Sequence, residues 1–154
     1  MYSTHSLAGP LVLTLLGACG GASPGGEAPG ATTATAQDAT FAVQADRGAG
    51  LYGAHCASCH GPTGGGNGDA PRLVGLREGA LPIAPPPGSK ARKGTFVTVA
   101  DVATFAVANM PPSAPRSLPA ADYLAILAFD LRANGIVLEQ PLDLAAAAKL
   151  TIPR

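Results

Sequence analysis

The sequence predicts an all-α domain of three to four helices, and three stretches carry that reading. Tyr123, Ile126, Leu127 and Leu131 recur at helical spacing, and Asn134-Gly135 then supplies a stop. Thr98-Val99-Ala100-Asp101 has the pattern of a capping box, with Asp in the acidic position, ahead of Val102, Phe105, Ala106 and Val107. Cys56-Ala57-Ser58-Cys59-His60 places two thiols and an imidazole at i, i+3 and i+4, which share one face of a helical turn.

That pentapeptide organises the chain. C-x-x-C-H is the attachment signature of a c-type haem: the thiols of Cys56 and Cys59 add to the vinyl groups, and His60 binds the iron from one side. A redox dithiol would sit near a βαβ pattern, and a zinc site would need a second ligand pair. Neither accompanies the motif, and no H-x-x-x-H follows it.

Composition agrees. The 154 residues hold one domain with a leader and a linker. Ten basic and ten acidic residues cancel, so no nucleic acid or other polyanion is expected as a partner. With no Trp, four Phe and three Tyr, the core is thin, and a bulky cofactor would fill it. Of the three cysteines, two belong to the motif and Cys19 lies in the leader, which leaves none for a disulfide.

Taken in order, the chain opens with Leu11-Val12-Leu13-Thr14-Leu15-Leu16, far short of the roughly 18–20 apolar residues that span a bilayer. It reads as the core of an export signal over residues 1–18. Leu16-Gly17-Ala18-Cys19 resembles a bacterial lipobox, which implies lipidation at Cys19, although Met1–Pro10 holds no Lys or Arg. An ordinary secretory signal with a coincidental Cys is the alternative. Residues 19–44 are mostly Gly, Ala, Ser, Thr and Pro, too poor in apolar side chains to offset the entropy of ordering, and read as a tether.

A domain over 45–136 follows. Asp46 is the expected cap of a first helix running through Leu51 and Tyr52 to Cys56. Gly48, Gly50 and Gly53 weaken that helix and suggest close packing against another, or simply a weak helix. His55 is expected off the motif face, at the surface. Gly61 to Gly68 lacks the Lys-Ser/Thr ending of a phosphate loop and reads as turns. Residues 77–97 form an irregular crossing, stiffened by Pro82, Pro85, Pro86 and Pro87. Lys90, Arg92 and Lys93 there are either solvated or face a haem propionate or an acidic partner. The capping-box helix should stop near Asn109, because the residue before proline is pushed out of the α region. Ser117 is the expected cap of the last helix, with Pro119 in its first turn and Asp122 near its N-terminal dipole. Residues 137–154 read as an extension wrapping the surface.

Cys56 to His60, Pro71-x-Leu73-x-Gly75 and Met110-Pro111 together resemble the three landmarks of class I, cytochrome-c-like domains. The resemblance covers about residues 46–135 and implies a small all-α cytochrome c fold around one haem c. It assigns the Pro71 carbonyl to accept from the ring of His60, and Leu73 to pack on the haem. Met110 is the only methionine besides the initiator, and at a helix end before proline it is the expected second axial ligand. With His60 and Met110 both bound, no site is open, so the expectation is a one-electron carrier and not an enzyme. By resemblance its donor is a periplasmic dehydrogenase (quinoprotein alcohol or sulfite type) and its acceptor an oxidase or another cytochrome. The expected location is the periplasmic face of a bacterial membrane, through Cys19. Two alternatives stay open: an enzyme or gas sensor with a free distal side, and a lipoprotein whose cysteines form a disulfide.

Overall fold

The computed structural model describes residues 38–68, 70–81 and 83–153. Cys19 and the export signal lie outside them. Helix α1 runs Phe41–His55, α2 is the single turn Ala57–His60, α3 is Val99–Asn109, α4 is Ala120–Ala133 and α5 is Leu144–Lys149. A 3-10 turn, Leu76–Glu78, interrupts the long connection between α2 and α3. Among the described residues there is no strand beyond one isolated bridge, Thr98 to Thr151. The all-α class therefore holds, with five helices where three to four were expected.

Helix α1 starts before Asp46. Thr40 is its cap, with the hydroxyl accepting from the Val43 N–H at 3.2 Å, and Phe41 is 2% exposed. Residues 41–44, counted to the tether from their composition, are thus helical. Asp46 lies inside the helix, paired with Arg132 on α4 at 2.8 Å. Farther out, Arg47 holds the buried Asp38 through two bonds of 2.9 and 2.7 Å and also reaches Asp122. The Asp38 bond raises the already high guanidinium pKa further.

Helices α1 and α4 cross at Gly48. A Cβ there would stand 1.8 Å from the Ala125 carbonyl oxygen, so only glycine permits this approach. At Gly50 and Gly53 a Cβ would meet nothing within 4 Å, so those two are not packing glycines. Near the end of α1, Tyr52 lies against Phe129 with ring centroids 5.0 Å apart.

Helix α3 begins with the expected capping box. The Thr98 hydroxyl accepts from Asp101 N–H, and the Asp101 carboxylate accepts from Thr98 N–H at 2.8 Å. The bonds from Thr98 and Val97 hold the Asp101 carboxyl below its usual range. Ser117 does not cap α4. Pro119 takes the cap position with no side-chain bond, and its carbonyl accepts from Asp122 and Tyr123 N–H at 2.9 and 3.3 Å.

The C-terminal segment closes the core instead of wrapping the surface. Leu142 and Ala147 are fully buried and Ile152 is 4% exposed, in one cluster with Phe41, Val99, Val102, Leu127 and Leu131. The Gln44 side chain accepts from the Leu142 N–H at 2.7 Å and donates to its carbonyl at 2.9 Å. Asp143 caps α5. Hydrogen bonds from Val99 N–H to the Leu150 carbonyl and from Ile152 N–H to the Val97 carbonyl fasten the tail to the start of α3. No described helix is long and apolar enough to cross a membrane.

Candidate haem site

The motif turn forms because α1 stops at His55 and the backbone restarts at once. The Cys56 carbonyl accepts from Cys59 N–H at 3.1 Å and from His60 N–H at 2.9 Å, which closes the turn that carries both thiols and the imidazole. Cys56 is half-buried and Cys59 exposed, and the two are not joined to each other. Burial, then the charge of Asp130, pushes the Cys56 thiol up to about 11. A redox dithiol needs the opposite shift, toward the thiolate. Among the described residues no group of three or more His, Cys, Asp or Glu could hold a metal ion.

His60 is buried, and its Nδ1 lies 2.8 Å from the Pro71 carbonyl oxygen. A carbonyl only accepts, so Nδ1 carries the proton and Nε2 keeps its lone pair free for a metal. The intervening loop returns tightly through glycines at positive φ. Gly66 N–H donates to the His60 carbonyl at 2.8 Å, and Gly64, at φ 76°, accepts at its carbonyl from Leu73 and Val74. This loop holds the histidine.

Met110 closes the end of α3. Its N–H donates to the Ala106 carbonyl at 2.8 Å, and its own backbone is extended (φ −121°, ψ 145°). The peptide to Pro111 is cis. The Tyr123 hydroxyl, from α4, donates to the Met110 carbonyl at 2.6 Å. A half-buried thioether is thus held at a helix end by hydrogen bonds on both sides of its backbone.

Several contributors lacked a sequence signal. Asn134, read only as a helix stop, accepts from Gly75 and Leu76 N–H at 2.8 and 3.2 Å and donates to the Leu73 carbonyl at 3.0 Å. It pins the Pro71–Gly75 stretch to the end of α4. The Tyr52 hydroxyl donates to the Gly61 carbonyl at 2.7 Å, and burial pushes it up to about 12. Arg92 donates to the Ile83 and Ala84 carbonyls and stacks 4.1 Å over Phe96, so it stitches the proline-rich crossing together. Lys93 donates to the Ser89 carbonyl at 2.7 Å. None of these contacts joins residues close enough in sequence to leave a periodic trace, apart from the Ser89–Lys93 and Arg92–Phe96 links, each four residues apart.

The family described as Cytochrome C oxidase, cbb3-type, subunit III matches residues 43–129, more than half of the chain and both C-x-x-C-H and Met110. The chain belongs to this family. Comparison with curated proteins gives no match. Among solved structures, a chain in the crystal structure of the sulfane dehydrogenase SoxCD from Paracoccus pantotrophus is similar, with 27% identity and a TM-score of 0.53. The match covers 71% of this chain and 53% of that one, so the present chain spans about half of the SoxCD chain. As a cytochrome c domain of this family, the protein is an electron-transfer haem protein with covalently bound haem c. Its residues fit that group: two unpaired thiols and a buried histidine with a free Nε2 lie on one turn.

Proposed function

We propose that this protein is a one-electron carrier whose haem is attached through Cys56 and Cys59 and ligated by His60 and Met110. The haem supplies the redox chemistry, and the chain fixes its ligands. The observation that carries the reading is the pairing of a buried His60 whose Nε2 is free with a Met110 anchored by Tyr123 at the end of α3. Pro71 sets the tautomer of His60, and Leu73 packs on the ring. Held by both His60 and Met110, the haem would have no open coordination site, and Met/His ligation would favour the ferrous state. Electrons then pass through a small, transient interface with each partner.

The similarity to SoxCD, a sulfane dehydrogenase, supports a dehydrogenase as the donor, with an oxidase or another cytochrome as acceptor. The test is a visible spectrum of the reduced, haem-loaded protein with and without carbon monoxide. An unchanged spectrum is expected, and a carbon monoxide adduct would replace the carrier reading with an open-site enzyme or sensor. We also place the protein at the periplasmic face of a membrane through Cys19, on the strength of Leu16-Gly17-Ala18-Cys19. Cys19→Ser should move it from the membrane to the soluble fraction. A wild-type protein that is already soluble contradicts the anchor.

A further inference from the structure

Helix α4 carries one buried carboxyl. Asp130 is 5% exposed, and its Oδ1 has no hydrogen-bond partner among the described residues. An unsatisfied buried polar atom is costly, and a persistent one calls for a reason. Solvation does not supply it. Asp130 borders a cavity of about 20 Å³, room for one water, but the walls include Leu76, Leu81, Val102, Leu127 and Leu131. Among the described residues that line it, the one other polar side chain is Asn134, whose amide is engaged at both ends, with Gly75 and Leu76 on the oxygen and Leu73 and the Asp130 carbonyl on the nitrogen. A buried water needs two or more polar partners, and the side chains of this lining offer it only Asp130 and the already engaged Asn134.

The position of Asp130 points toward the haem attachment. It follows Phe129, whose ring packs on Tyr52, and the Tyr52 carbonyl accepts from the Cys56 N–H at 2.8 Å. The titratable groups that feel the Asp130 charge are Tyr52 and Cys56, both on the α1 side. The 76–81 segment, α3 and the C-terminal segment present Leu76, Leu81, Val99, Val102 and Ile152 to the same cavity, so no cation from those elements lines it. Once Cys56 is a thioether it no longer titrates. Asp130 is then left as a lone ionisable carboxyl in an apolar wall beside the attachment point.

We propose that Asp130 couples electron transfer to a proton: the carboxylate takes up one proton from solvent as the domain accepts one electron from its donor, and releases it as the electron leaves. No bond to the haem forms or breaks. The change is one O–H bond made at the carboxylate on reduction and broken on oxidation. Removing a positive charge at the iron disfavours a nearby anion, so reduction raises the affinity of Asp130 for a proton. By linkage, protonation raises the affinity of the domain for an electron to the same extent. Burial pushes the carboxyl up to about 7, so this exchange falls where the pH of an ordinary medium can drive it.

The test is a spectroelectrochemical titration of the full, haem-loaded chain across neutral pH, with Asp130→Asn in parallel. In wild type the midpoint potential should fall as pH rises through neutrality, because the anion favours the oxidised state. Asn cannot ionise and mimics the protonated acid, so the variant should hold the low-pH wild-type potential at every pH. A flat wild-type profile, or a variant that keeps the wild-type slope, overturns the proposal. A residue with only a structural role would leave the slope untouched. Should the variant not fold, the redox difference infrared spectrum of wild type with isotope-labelled aspartate decides instead. A protonated-carboxyl band that shifts with the label and grows on reduction supports the proposal, and its absence overturns it. The coupling rests on the haem and not on Met110 ligation, so the carbon monoxide experiment and the pH titration fail independently.

Discussion

The His60 side and the Met110 side of the site are built by different means. On the His60 side the hydrogen bonds are dense and mostly local: the Cys56 carbonyl closes the turn, Gly66 caps His60, Pro71 holds its ring, and Asn134 ties down the 73–76 stretch. Met110 is held at its backbone by the last turn of α3 and by one hydroxyl, Tyr123, while residues 112–117 beyond it are exposed. A ligand fixed by many short links stays put through a redox cycle. On the ligation proposed above, Met110, which hangs from a helix end, would be the ligand lost first when the fold is stressed.

Both sides share a single frame, the α1–α4 crossing, since α1 leads into the motif and α4 carries Tyr123 and Asn134. Breaking the frame should therefore have the largest effect. Gly48→Ala sets a Cβ 1.8 Å from the Ala125 oxygen and should cost about 3 kcal/mol or more, read from denaturant midpoints. Gly50→Ala, with open space around it, should instead stabilise by up to about 1 kcal/mol through helix propensity. Equal effects at the two sites would show that the helices do not cross as described.

A smaller pair of changes separates the two sides. Asn134→Ala leaves the Gly75 and Leu76 N–H groups and the Leu73 carbonyl without their partner and should cost about 1–3 kcal/mol. Tyr123→Phe removes one bond to Met110 and should cost about 1 kcal/mol. The difference should also be qualitative. Asn134→Ala should leave carbon monoxide excluded, whereas Tyr123→Phe should admit some of it at the loosened methionine. Carbon monoxide binding to both variants alike would mean that the two sides are not held independently.

Much of this site could be read from the chain itself, and the reason is local spacing. Cys56, Cys59 and His60 share a turn, Thr98 and Asp101 form a capping box, and Met110 ends a helix because proline follows; each rule acts over four residues or fewer. The Pro71 contact, eleven residues from His60, came only from resemblance to a family. What stayed hidden depends on distant partners. Phe41 lies in a Gly/Ala/Thr-rich stretch that reads as tether, yet it is buried against helices far along the chain. Leu142 pairs with Gln44 across 98 residues, so an extension with little periodicity turns out to complete the core. Asp130 sits on the buried face of α4, among Ile126, Leu127 and Leu131, where periodicity reports burial but not whether a carboxyl there has a partner.

The most direct measurement is the midpoint potential of haem-loaded Met110→Ala beside wild type. Loss of a thioether ligand should leave the haem attached and lower the potential by on the order of 100 mV, with carbon monoxide now binding. A variant with wild-type potential and spectrum would contradict ligation by Met110, and with it the closed, one-electron carrier.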